Sequence, residues 1–93
     1  MPKKNTMKDR FRKSKTWQKK AQEIAERDKY LCRVCAKEGT IKYDKLSVHH
    51  IVPLEKDFDK RLENDNLITL CIYHHRMAEA SKISKAELYE LIP

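Results

Sequence analysis

Residues 67–77, "LITLCIYHHRM", change character halfway. The first four are β-branched or apolar and read as a short strand; from Cys71 onward the pattern favours helix, with Met77 and Ala78 or Ala80 turned inward. The junction carries one of three cysteines and two of four histidines. The remaining ones form two tight pairs. Cys32 and Cys35 lie in "YLCRVCAKEG", a C-x-x-C followed by the single glycine, Gly39. His49 and His50 are adjacent in "LSVHHIVP", which reads as a strand over 46–52 ended by Pro53.

Ninety-three residues make one small domain. A chain of this size buries only about 60% of its unfolded surface, so a staple is expected. Three cysteines cannot all pair as disulfides. The opening "MPKKNTMKDRFRKSK" has no apolar core of a secretory type, and no run is long enough to span a bilayer. These features predict a cytoplasmic protein with reduced thiols, stapled by metal. Cys32 and Cys35 supply C-x-x-C, and Cys71 and His74 supply C-x-x-H. Cys₃His is a standard tetrahedral zinc set. It would tie the first half of the chain to the second. A redox role for the C-x-x-C lacks the βαβ pattern that usually surrounds one.

Charge is uneven. Residues 1–29 hold eleven of the 21 Lys and Arg but four of the 14 acids, so they carry the whole excess of +7. Residues 1–13 read as a flexible basic arm, ahead of a single domain over 14–93. A helix is expected at 15–29, capped by Ser14 or Thr16, with Trp17, Ala21, Ile24, Ala25 and Asp28 on one stripe. Trp17 is expected to anchor that helix in the core rather than to stack on a base. Residues 54–66 read as a charged connection holding at most a short helical turn. "SKAE", 84–87, is a capping box that opens a last helix bearing Leu88, Leu91 and Ile92. A basic arm on a neutral body suits a polyanion partner, most simply nucleic acid, although charge alone does not separate this from a solubilising tail.

Zinc takes one histidine and leaves His49, His50 and His75. A strand histidine facing His75 can form a second, open cation site, and the other strand histidine is free to act as a base. A metallated nitrogen cannot accept a proton, so the two adjacent histidines need different duties. A divalent ion and a neutral imidazole together suit phosphodiester hydrolysis. Spacing does not say which strand histidine does which.

"LCRVC…VHHIVPL…NLITLC…HH" resembles the HNH endonucleases, the zinc-bearing branch of the ββα-metal nucleases, from about Trp17 to Met77. The lead-in helix also looks like that of small HNH proteins encoded by tailed bacteriophages beside their DNA-packaging genes. The resemblance implies a small α+β fold: a treble-clef-like ββα core with a zinc knuckle, flanked by N- and C-terminal helices. It implies that His49 binds the catalytic cation, His50 is the general base, His75 is the second cation ligand, and Asn66 braces the loop between the strands. Cys32, Cys35, Cys71 and His74 would hold Zn²⁺, and the catalytic ion would be Mg²⁺ or Mn²⁺. Cysteine usually stands where His74 stands, which leaves an exchange of duties between His74 and His75 open. A further histidine common in relatives is replaced by the turn holding Ala78 and Glu79; water and phosphate would then complete the cation's shell, with Glu79 either holding one of those waters or, as the simpler expectation, a solvated helix residue.

The function expected on these grounds is metal-dependent nicking of double-stranded DNA, in a bacterium or a phage-infected host. Lys13, Lys15, Lys19 and Lys20 would lie on phosphates, and a phage terminase or other packaging protein is the expected partner. A non-catalytic zinc module that binds DNA or protein, or a degenerate nuclease, is the alternative. It accounts for the cysteines and the arm but gives His49, His50 and His75 nothing to do.

Overall fold

The computed structural model describes residues 7–93. Lys3 and Lys4 of the expected arm lie outside the described residues. The rest of that arm is not a loose segment: Met7–Lys13 form a helix, α1. Phe11 is the reason. It is buried, with its ring 5.3 Å from that of Trp17 and 5.8 Å from that of Phe58. One aromatic residue among basic neighbours was an easily overlooked packing signal.

Ser14 separates α1 from α2, Lys15–Arg27. Its hydroxyl donates to the Phe11 carbonyl at 2.7 Å and accepts from the Trp17 N–H at 3.1 Å. One side chain therefore closes the first helix and caps the second. Helix α2 ends two residues before the expected boundary. Lys29 and Tyr30 both take left-handed backbone, φ 62° and 55°, while the Tyr30 N–H reaches the Ala25 carbonyl at 2.8 Å. That turn feeds α3, Arg33–Lys37, the knuckle helix. Gly39, at φ 86°, reverses the chain beyond it, and the Thr40 N–H bonds the Cys35 carbonyl at 2.8 Å.

The two strands β1, Leu46–His50, and β2, Leu67–Cys71, pair antiparallel with Leu46 opposite Cys71 and His50 opposite Leu67. All five residues of β2 are buried, because α2, α3 and α4 pack around it. Strand β1 is shorter than expected and stops at His50. The connection between the strands holds two 3₁₀ turns, Phe58–Lys60 and Asn64–Asn66. Helix α4, Ile72–Glu79, follows β2 without a loop, and α5, Lys85–Glu90, opens with the capping box of Ser84 and Glu87. Ile51, Ile68, Leu70, Ile83 and Leu88 form the core with the cysteines. Among the described residues no helix is long and apolar enough to cross a membrane.

Asp28 holds α2 to β2. It is fully buried and takes Arg27 Nε at 2.8 Å and the Thr69 N–H at 2.9 Å. Arg27 continues to the carbonyls of Leu67 at 2.6 Å and Asn64 at 2.7 Å. The stripe on α2 therefore ends in a paired carboxylate rather than an apolar residue. Removing one partner of such a buried pair leaves a charge and an N–H unsatisfied. Asp28→Ala is expected to lower unfolding free energy by about 3 kcal/mol, read by urea denaturation with zinc present.

Candidate active site and metal centre

The β2–α4 junction sorts the ligands. Cys71 ends the strand and is the N-cap of α4, so His74 lies in the first helical turn, back over the same end. Cys32 is the N-cap of α3, and its sulfur accepts from the Cys35 N–H at 3.5 Å. The two caps face one another. His74 Nδ1 lies 3.6 Å from Cys32 Sγ, 3.4 Å from Cys35 Sγ and 3.4 Å from Cys71 Sγ, and the Cys35 and Cys71 sulfurs are 3.9 Å apart. All four ligand atoms lie within 4.8 Å of one another, and all four residues are buried.

The donor set fits zinc on its dimensions. Bonds of about 2.3 Å to sulfur and about 2.0 Å to nitrogen give tetrahedral edges of about 3.5–3.8 Å. The set fits on charge too. Burial, aided by the neighbouring Cys32 and Cys71 sulfurs, pushes the Cys35 thiol up to about 12. Burial also opposes the Cys71 thiolate, but the His74 backbone N–H, the Cys32 and Cys35 side chains and the Tyr73 N–H outweigh it and bring the pKa down. Crowded sulfurs of this kind become thiolates together only around a cation. His74 Nε2, away from the sulfurs, faces Glu38 Oε1 at 3.9 Å. It is thus His74, not His75, that completes the quartet.

His75 turns the other way. Its ring lies edge-on to that of His49, with centres 4.9 Å apart. At that spacing one ion with metal–nitrogen bonds of about 2.0–2.1 Å reaches both rings. His75 Nδ1 is 2.6 Å from Ser47 Oγ; an Nδ1–H donated there leaves Nε2 with its lone pair. Ser47 was missed from sequence, although it lies two residues before His49 and so on the same face of β1. Burial, followed by the charges of His75, His50 and Lys85, pushes His49 down to about 4, so its ring is neutral and able to bind a cation at ordinary pH. Glu79 is exposed, as a solvated helix residue should be, and its Oε2 also lies 3.4 Å from His75 Nε2 at the edge of the same cleft.

His50 points to the opposite face of β1. Trp17 stacks on it at 4.7 Å between centres and 29° between planes, and Phe11 meets it edge-on at 6.0 Å. Nε2 lies 3.1 Å from the Arg61 carbonyl. A carbonyl only accepts, so Nε2 carries the hydrogen and neutral Nδ1 keeps a lone pair. Burial, with the Arg12 charge adding to it against the pull of the Arg61 carbonyl, lowers the His50 pKa and favours this neutral form. Asn66 is buried; it accepts from the Val52 N–H at 2.8 Å and donates to the carbonyls of Val52 and Lys60 at 3.3 Å each. It thereby ties the end of β1 to the turn preceding Arg61.

His49, His50 and His75 line one cleft of about 760 Å³, together with Trp17. Trp17 is half-buried, so it anchors α2 and also forms part of the wall. Of the lysines singled out from sequence, Lys13, Lys15 and Lys19 are exposed. Lys20 is engaged with Asn64 Oδ1 at 2.7 Å and Glu23 at 3.2 Å. The cations on the cleft wall are Arg12, one of the basic residues counted in the expected arm, and Lys85, which lies outside it.

This ββα unit, with a four-ligand staple on one side of its helix and a histidine cleft on the other, is the arrangement of a metal-dependent nuclease. The family profile described as HNH endonuclease matches residues 32–81. A solved HNH endonuclease of the deep-sea thermophilic bacteriophage GVE2, crystallised with manganese ion, is similar at 36% identity and a TM-score of 0.77, over 84% of each chain. No curated protein matches the sequence. The chain belongs to the HNH endonuclease family and is a DNA-cleaving hydrolase.

Two histidines one residue apart should separate cleanly. His74→Ala is expected to lose the bound zinc and the cooperative melt, whereas His75→Ala keeps about one zinc per chain. Elemental analysis of the purified variants checks this.

Proposed function

We propose that the protein nicks double-stranded DNA by hydrolysing one phosphodiester at a time, with His50 as general base and His49 and His75 holding one divalent cation. The observation that carries this reading is the splitting of the histidines across β1. His49 faces His75 at 4.9 Å, while His50 sits against Trp17 with its Nε2 committed to the Arg61 carbonyl.

His50 Nδ1 takes the proton from attacking water. Trp17 and the Arg61 carbonyl fix the plane and tautomer of the ring, so no rotation is needed before the transfer. Asn66 acts as a positioning residue, because it holds the turn that presents the Arg61 carbonyl. His49 and His75 would hold the ion through ring nitrogens, with Ser47 orienting the second. A divalent ion held by these two residues would neutralise charge on the scissile phosphate and stabilise the departing 3′ oxygen. Mg²⁺ tolerates a shell completed by water and phosphate, and imidazoles suit Mn²⁺; the manganese in the GVE2 enzyme supports the latter.

Lys13, Lys15 and Lys19 are exposed and suited to phosphates, which gives steep salt dependence and little sequence preference. A part in phage DNA processing or packaging, with terminase as partner, is in keeping with the phage origin of the similar structure. A non-catalytic zinc module would leave the orientation of three histidines without purpose.

Supercoiled plasmid incubated with Mn²⁺ or Mg²⁺ tests the reading. Nicked circles are expected, none in EDTA, and a rate lower by about 10²–10⁴-fold in His50→Ala. Equal nicking by the variant and its parent would remove His50 from the chemistry. Asn66→Asp keeps the shape but replaces the two donated bonds with a charge; the expected result is slower nicking with unchanged Mn²⁺ affinity, measured by electron paramagnetic resonance.

A further inference from the structure

We propose that Arg12 and Lys85 form a phosphate clamp, gripping the DNA backbone on the two sides of the bond that His50 and the His49–His75 pair address. The inference rests on the nuclease reading above. It adds a substrate-binding function to two helices outside the family's matched segment, residues 32–81.

Both side chains line the cleft that holds the three histidines. They come from opposite ends of the chain. Arg12 follows Phe11, whose burial against Trp17 and Phe58 fixes the backbone of α1. Lys85 is the first residue of α5, which is held by its capping box and by buried Leu88. Two cations on well-anchored backbone therefore face a site expected to receive a polyanion.

Neither cation is spent elsewhere. Among the described residues no hydrogen bond or ion pair engages the Arg12 guanidinium or the Lys85 ammonium. The cleft also holds two acids, Glu55 and Glu79, and each has another neighbour. Glu55 pairs with Lys8 Nζ at 3.4 Å, and its own backbone N–H, then Lys8 and Arg12, hold its carboxyl below the usual range. Glu79 faces His75. Arg12 feels the Glu55 charge but makes no close pair with it, and Lys85 makes none, so both side chains can reach a ligand.

Their placement is also ordered. Arg12 follows Phe11, whose ring meets that of His50 at 6.0 Å, whereas Lys85 opens the helix that follows α4, the carrier of His75. Arg12 accordingly belongs to the side from which water attacks, and Lys85 to the side of the cation pair. Guanidinium and ammonium groups bind phosphate oxygens through charge-assisted hydrogen bonds. Contacts from both sides would centre one phosphodiester between the base and the ion, whatever the base sequence.

The test measures binding of the full zinc-loaded chain to a short DNA duplex over a range of salt, with no further divalent cation added. Arg12→Ala and Lys85→Ala are each expected to reduce the slope of log affinity against log salt by about 0.9. Affinity at low salt should fall about tenfold. Lys85→Arg should restore the slope. Lys37→Ala, an exposed cation outside the cleft, should leave it unchanged. Mn²⁺ binding to the free variants should match the parent. With Mn²⁺ present, kcat/KM for nicking should fall by a similar factor.

Unchanged slopes in Arg12→Ala and Lys85→Ala, with nicking intact, overturn the clamp and leave the nuclease reading standing. An equal loss in Lys37→Ala also overturns it, since bulk charge would then be the cause. A parent that binds duplex but does not nick removes the catalytic reading, and the slopes still decide the clamp. A parent that binds no duplex overturns the clamp outright.

Discussion

Three sulfurs and one imidazole nitrogen brought within 4.8 Å are the constraint on which the rest of the molecule depends. The chain is too short for apolar burial alone to fix it, and the cysteines are themselves part of the core. Zinc at that point joins the N-cap of α3 to the N-cap of α4. The sulfurs replace apolar packing where the two halves of the chain meet, and they set the direction in which α4 leaves the sheet. The position of His75, and with it the cleft, follows from that direction.

The cleft is then completed by residues far apart in the chain. Strand β1 supplies two histidines with opposite facing, α4 supplies one, and α1 and α2 press Phe11 and Trp17 against the ring of His50. Aromatic packing takes the place of a second hydrogen bond on that ring. It leaves one nitrogen open while the Arg61 carbonyl holds the other. Asp28 and Arg27 perform the corresponding task for the sheet, clamping α2 to β2 by polar bonds in a place that apolar side chains fill in larger domains.

Much of this was legible in the residues. The C-x-x-C and C-x-x-H pairs specify the staple because their spacing is local and their chemistry narrow. The helix starts were readable from Ser14 and Ser84, whose caps are short-range hydrogen bonds. Alternation along β1 required His49 and His50 to diverge, though it could not order their duties. What was not legible depends on distant contacts. Helix α1 looked like an arm because its single buried aromatic finds Trp17 and Phe58 only in three dimensions. The choice between His74 and His75 depended on where β2 ends, since a one-residue shift rotates the helix by about 100°. Ser47, Arg12 and Lys85 are ordinary surface residue types whose importance comes from what they face.

The adjacency of His74 and His75 has one more consequence. The metal quartet and the histidine cleft are entered from residues a single helical step apart, so their relative bearing is set by backbone geometry and not by side-chain packing. An inserted or deleted residue at Ile72 or Tyr73 would re-aim both rings at once and leave neither centre intact. The stretch from Cys71 to His75 therefore has room for changes of identity at its exposed positions, Ile72 and Tyr73, but none for a change of length.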